Sequence, residues 1–325
     1  MSPHPRDLGL GEARALVQRA VDKAEQLGVR GAVAVVGASG TLITASRMDA
    51  GGPGGMARAR SKAWISATQQ IPSAEHLHRM TTIAPPVAAG FAQASPEALF
   101  PGAGGMPIRA DGAVVAGIAA SGATVSPFFP ADVDPRMLSV EGRPANPEDL
   151  LIAYALGLPY TGQHGDDGKR WEQRFGDLDI DPADSLGLAP APPAEHQAEL
   201  AWATALCDAA MDAASRRMVR VAVAVVDRGG DPIRQDLMDG APAGGVAVAQ
   251  AVAGAAALFG DDSSELGARF GPMEAVAALV VPPVLGVPGG LAIWDGGHVV
   301  AGLGVGGGHP SVCEDIARTA LAAVR

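Results

Sequence analysis

Arg58 and Lys62 stand four residues apart in the stretch Met56-Ala57-Arg58-Ala59-Arg60-Ser61-Lys62-Ala63. On a helix that spacing places both on one face, where two cations can clasp a single carboxylate. The alternative is an ordinary solvated face of cations. His76 and His78 follow soon after, and His164 lies further along in Tyr160-Thr161-Gly162-Gln163-His164-Gly165-Asp166-Asp167. Imidazole titrates near neutral pH, so these three histidines are the candidate catalytic groups, suited to moving a proton for a bound acid. His76 and His78, two apart, share a face only on an extended backbone. Gly102, Gly104 and Gly105 precede one expected strand, and Gly286, Gly289 and Gly290 precede another. Such loops either bring backbone N–H groups close to a ligand or simply turn the chain tightly into a hairpin. Gly104 and Gly105 therefore join Arg58 and Lys62 as candidate ligand-binding positions. Neither loop is a dinucleotide fingerprint or a phosphate loop, because the strand–glycine–helix order and the P-loop lysine are missing. No histidine pair has a recognised metal spacing, so no metal ligand is assigned.

The elements that must position these residues occur twice. Leu10, Ala13, Leu16, Ala20 and Ala24 recur as Leu200, Ala203, Leu206, Ala210 and Ala214, with the three-and-four spacing of a buried helix face. Val33-Ala34-Val35-Val36 recurs as Val223-Ala224-Val225-Val226, a short apolar run that predicts a buried strand. Gly40 returns as Gly230, and Met48-Asp49 as Met238-Asp239. After a short deletion in the second copy, Gly104-Gly105, Ile108, Val114-Val115 and Gly117 match Gly289-Gly290, Ile293, Val299-Val300 and Gly302. This ordered series identifies an internal duplication. Each copy reads helix, strand, turn, strand, helix, loop, strand, glycine turn, strand, helix. Adjacent strand pairs with short turns imply an antiparallel sheet with flanking helices, an α+β fold.

The copies are unequal. Copy 1 spans 8–157 and carries an inserted loop, 125–146, which includes Phe128, Phe129, Asp132 and Asp134. Its closing helix is expected from near Pro147 to Leu156, opposite one beginning near Cys313-Glu314-Asp315. Residues 158–193 end in Ala189-Pro190-Ala191-Pro192-Pro193 and read as a linker, or as a lid with His164 and Trp171. Copy 2 spans 194–325. At the positions of Arg58, Arg60 and Lys62 it has Val248, Gln250 and Val252, on a helix apolar almost all round. One ligand site in copy 1, with copy 2 as its structural partner, follows as an expectation.

A chain of 325 residues is long enough for two such domains. Its formal charge of -11 and its lack of a Lys/Arg stripe count against a nucleic-acid or anionic-membrane partner. Cys207 and Cys313 are the only cysteines and form no CxxC, so a disulfide framework is not expected and a reducing cytoplasm fits best. Both cysteines read as structural. The N-terminus lacks the apolar core of a secretory signal, and the apolar run Val246–Phe259 is too short to span a bilayer.

The helix, the VAVV strand, the strand ending in Met-Asp, the Ala-and-cation helix and the Pro-Gly-Gly loop together resemble the GlcG/HbpS-like proteins. These are also described as haem-degrading or PduO C-terminal-like domains. Val287-Pro288-Gly289-Gly290 through Val299-Val300-Ala301-Gly302-Leu303-Gly304-Val305 carries the resemblance most fully. The resemblance implies two tandem profilin- or PAS-like domains forming an intramolecular pseudo-dimer, with room for a further homo-oligomer. It also implies haem or another tetrapyrrole as ligand, because some relatives bind haem and family members often carry a Lys-Ala where Lys62-Ala63 stands here. Arg58 and Lys62 would then hold propionates, and the histidines would be the plausible iron ligands. A haem- or small-molecule-binding protein, acting in tetrapyrrole binding or breakdown, is the leading expectation. A haem-independent enzyme acting on a small carboxylate-bearing metabolite is the alternative, and a purely structural partner of an enzyme complex is the third.

Overall fold

The computed structural model describes residues 8–80, 95, 97–123, 138–140, 143–158, 198–270, 284–295 and 297–324. His164, Trp171, His196, Phe128, Phe129, Asp132 and Asp134 lie outside these described residues, as does nearly all of 158–193. The chain divides into two compact units, Met1–Thr41 with Ala50–Pro193, and Leu42–Asp49 with Ala194–Arg325. The second unit thus takes one strand from the first half of the sequence.

In unit 1, helix α1 (Leu10–Leu27) buries Leu10, Ala13, Val17, Ala20, Val21 and Ala24. Glu12 accepts from the Gly9 N–H at its start, and Gly28, in the left-handed region at φ 65°, ends it. Strand β1 (Ala32–Gly37) follows and is buried along its whole length. Helices α2 (Gly55–Gln69) and α3 (Ser73–His78) precede the hairpin of β3 (Gly105–Ala110) and β4 (Ala113–Ser121). The antiparallel strand order is β3-β4-β1. Two three-residue strands, β5 (Leu138–Val140) and β6 (Arg143–Ala145), pair within the insertion that the sequence presents as loop. Three residues are too few for an alternating pattern to show. Helix α4 (Pro147–Leu156) closes the unit, with Pro147 in its first turn and Asn146 Oδ1 accepting from the N–H groups of Glu148 and Asp149.

Unit 2 repeats the scheme with α5 (Ala198–Arg216), β7 (Ala222–Asp227), β8 (Pro232–Leu237), α6 (Gly245–Phe259), α7 (Ser263–Phe270), β9 (Gly290–Asp295), β10 (His298–Gly306) and α8 (Pro310–Val324). With β2 (Leu42–Arg47) at its edge, its antiparallel order is β2-β8-β7-β10-β9. β2 is stitched on by buried polar groups: Thr44 donates to Asp236 at 2.9 Å, and Arg234 donates to Ser46 at 2.5 Å and to Asp236 at 2.8 Å. Thr44 lies opposite Asp236, and Ser46 opposite Arg234. Thr44 corresponds in the repeat to Arg234 and Ser46 to Asp236, so each pair is the counterpart of the other and the strand pair has a local two-fold centre at Ala45 and Gln235.

The glycines of β10 have a packing cause. A Cβ on Gly302 or Gly304 would lie 2.2 or 2.1 Å from a carbonyl oxygen of α6, so only hydrogen lets the helix rest on the strand. The intervening Leu303 and Val305 face the opposite way, into a core with Leu206, Ile233, Leu291 and Ile316. Burying each such side chain stabilises the fold by about 1.5–3 kcal/mol. Helices therefore cover both sheet faces, which explains the continuous apolar runs of β1 and β7. Among the described residues, no helix is long and apolar enough to cross a membrane. Two repeated mixed regions of helix and antiparallel sheet establish the tandem α+β fold.

Candidate functional site

Lys62 sits in the buried stretch of α2 and is only 3% exposed. Its Nζ donates to Glu148 Oε2 at 2.6 Å, with a longer approach of 3.5 Å to the Ala120 carbonyl. Glu148 is equally buried, at 4%. The other Glu148 oxygen accepts from the Gly122 N–H at 2.8 Å. Next to it, Asp149 accepts from the Gly104 N–H at 2.5 Å. The Phe100 ring lies 5.7 Å from Lys62 Nζ, at the distance of a cation–π contact. Taking the two charges out of water costs several kcal/mol per ion, recovered only by close pairing and further hydrogen bonds of this kind.

The glycine loop is held to α2 and α3. Phe100 N–H donates to Ser61 Oγ at 2.7 Å, Ser61 Oγ donates to the Ala98 carbonyl at 2.8 Å, and Ser73 Oγ donates to the Gly102 carbonyl. Gly104 has φ +98°, and a Cβ there would meet Glu148 Cβ and the Ala120 oxygen at 2.7 Å. A Cβ on Gly105 would lie 2.6 Å from Ser73 Oγ. The chain itself thus fills the space beside both glycines. The loop brings together Lys62, Gly104, Gly105 and the start of α3.

Arg58 is placed differently. It is half-buried near the start of α2, beside Gly54 and Gly122, and has no carboxylate partner among the described residues. Arg60, by contrast, pairs with Glu97 at 2.5 Å. His76 is 5% exposed, and burial, helped by the Arg79 charge, pushes its pKa below the usual histidine value. His78 is exposed, at the end of α3. Among the described residues, no group of three His, Cys, Asp or Glu could hold a metal ion.

Glu148 is the charged partner of Lys62, and the sequence left it unassigned. The signal for it was Lys62 itself, since a lysine on a buried helix face requires a buried acid. Unit 2 has an apolar counterpart to the pair. A Cβ on Gly289 would meet Val305 O at 2.7 Å, Cys313 Cβ at 3.5 Å and Val252 at 3.7 Å, as one on Gly104 meets Ala120 O and Glu148. Val252 and Cys313 therefore stand where Lys62 and Glu148 stand in unit 1. Burial pushes the Cys313 thiol pKa up, partly offset by a hydrogen bond from the Gly308 backbone, so the sulfur is kept neutral.

The family described as haem degrading protein HbpS-like matches residues 8–126 and again 199–322, together well over half of the chain. The chain belongs to the HbpS-like family. A variant of HbpS from Streptomyces reticuli is 32% identical, over 39% of this chain and 86% of that one, with a TM-score of 0.36. A PduOC:haem complex is 28% identical, over 38% of this chain and 91% of its own, also at 0.36. Klebsiella pneumoniae protein ORFY is 24% identical, over 38% and 88% of the two chains, again at 0.36. No curated protein matches the sequence.

Within this HbpS-like chain the described side chains fit the acid edge of a haem better than its iron. Arg58 offers a guanidinium that no described carboxylate occupies. Lys62 already holds Glu148, so a ligand acid reaches it only by taking Glu148's place. His76 is neutral and chemically suited to iron but lies inside the fold, whereas His78 is accessible.

Proposed function

We propose that this protein binds haem or a related tetrapyrrole through unit 1, with Arg58 holding a propionate. Membership of the HbpS-like family supports the ligand class. The single observation that supports the place is Arg58, a half-buried cation near the start of α2 without a described acidic partner. The positive end of the helix reinforces it toward an anion. Bound haem would supply redox-active iron, and Arg58 would orient it by one or two charge-assisted hydrogen bonds. Among the described residues of this unit, His78 is an exposed imidazole. Lys62 and Glu148 would keep the loop at Gly104 in place beneath it.

Haemin titration followed by its Soret absorption tests the reading. Arg58→Ala should weaken binding about ten- to a hundredfold, the worth of a hydrogen bond to a charged group, and Arg58→Lys should recover part of it. Equal affinity in all three proteins would remove Arg58 from the site, and no binding by the parent protein would remove haem. Iron-free protoporphyrin keeps the propionates. Its loss of affinity in Arg58→Ala, matching that of haemin, would show that the acids are what Arg58 holds. If small organic acids bind Arg58 while haemin does not, the haem-independent enzyme reading takes its place.

A further inference from the structure

Arg58 and Lys62 are four residues apart on α2, yet they are not equally available to an acid. The Lys62 ammonium has three donors. One goes to Glu148 Oε2 at 2.6 Å, another approaches the Ala120 carbonyl at 3.5 Å, and the Phe100 ring lies 5.7 Å away. A Cβ on Gly102 would stand 3.7 Å from Lys62 Cε, so the loop also covers the stem of the side chain. Arg60 of α2 and Arg79, just after α3, are held by Glu97 and Glu75.

Gly122 lies next to both Arg58 and the buried pair. Its N–H donates to Glu148 Oε1 at 2.8 Å, and a Cβ on it would lie 3.9 Å from Arg58 Nη2. An anion seated on Arg58 is thus a neighbour of the Glu148 carboxylate. Arg58 and Lys62 are two cations and Glu148 is one anion, so a single ligand carboxylate balances the three. A second one would face Glu148 without a cation of its own, and like charges repel strongly where water is partly excluded. Unit 2 has Val248, Val252 and Cys313 at the three positions, so this balance belongs to unit 1 alone.

We propose that, given a propionate on Arg58 as in the reading above, the unit 1 site takes one carboxylate per ligand. Glu148 fixes that number by keeping Lys62 occupied, which makes it a specificity-determining residue. A tetrapyrrole is then held by one propionate with the other left in water. A flat ligand with a single carboxylate is as good a fit as one with two.

Fluorescence titration of the full chain with iron-free protoporphyrin and with its monomethyl ester counts the acids. The diacid should bind at most about twofold more tightly than the monoester, the statistical advantage of presenting either of two acids. Glu148→Gln keeps the shape and the acceptor for the Gly122 N–H while freeing Lys62. In that variant the diacid should bind about tenfold or more tightly than the monoester, the worth of an added hydrogen bond between charged groups. A preference of that size already in the parent protein would overturn the proposal, as would an unchanged ratio in Glu148→Gln. Lys62→Val with Glu148→Cys supplies no second cation and should keep the parent's ratio; a diacid preference there would also overturn the role of Glu148. The parent comparison needs no substitution, so it decides the number of acids even where Glu148→Gln is too unstable to purify. Failure of the Arg58 reading looks different: Arg58→Ala would bind both ligands as the parent does, or the parent would bind neither.

Discussion

The two units share a scaffold and differ in where they keep charge. Unit 1 buries Lys62 against Glu148 beneath α2 and leaves Arg58 beside it without a described acid. Unit 2 fills the same place with Val252 and Cys313, and concentrates carboxylates (Glu199, Asp227 and Asp295) at the α5 and α8 side of its sheet. The shared fold does not need the ion pair, because Val252 and Cys313 satisfy the same geometry without desolvating a charge. A buried ion pair is weak evidence for stability and better evidence for a local requirement. After duplication, each copy was free to place chemistry on a different face while keeping the same strands and glycines.

The largest effect should come from breaking the pair. Lys62→Met leaves Glu148 buried with its main cation gone and should cost about 3–5 kcal/mol in urea unfolding. Lys62→Val combined with Glu148→Cys installs the unit 2 solution and should recover most of that loss. A double variant no more stable than the single one would mean that the two sites are not equivalent. The next effect concerns what the units hold in common. Gly117 of β4 and Gly302 of β10 would each place a Cβ 2.2 Å from a helix carbonyl, of Ala63 and Ala253 respectively. Gly117→Ala and Gly302→Ala should each destabilise by about 1–3 kcal/mol, the usual cost of overpacking. A large effect at one and none at the other would break the parallel.

The repeated elements were legible because helix and strand periods are written in the apolar residues, and two copies reinforce each other. The neighbourhood of Lys62 was only half legible. Its helix face and its replacement by Val252 could be read, but Glu148 could not be matched to Cys313, because the insertion at 125–146 shifts the register just before it. Glu148 and Asp149 fall at the start of the closing helix expected from near Pro147, and nothing in their spacing sets them apart. The cavity of unit 2 lined by Glu199, Trp202, Asp227 and Asp295 was hidden for another reason: these residues come from separate elements and share no spacing, so only the folded sheet gathers them.

The smallest expected difference is a matter of pH and lies at His76. Its counterpart by the repeat is Leu266, which is fully buried. Burial and the Arg79 charge hold the His76 imidazole below its ordinary value of 6.5. As the pH falls through 6.5 the unfolded chain takes up this proton before the folded chain does. Stability from this residue is therefore complete above about pH 6.5 and declines below it, with a slope of at most about 1.4 kcal/mol per pH unit. His76→Leu should remove that slope and leave the acid loss due to carboxylates, seen as a flatter melting temperature between about pH 6.5 and 5. Parallel pH curves for the two proteins would mean that His76 is protonated as easily inside the fold as outside. A flatter curve would mean instead that His76 stays neutral inside unit 1, the state in which an imidazole can accept a proton or ligate iron.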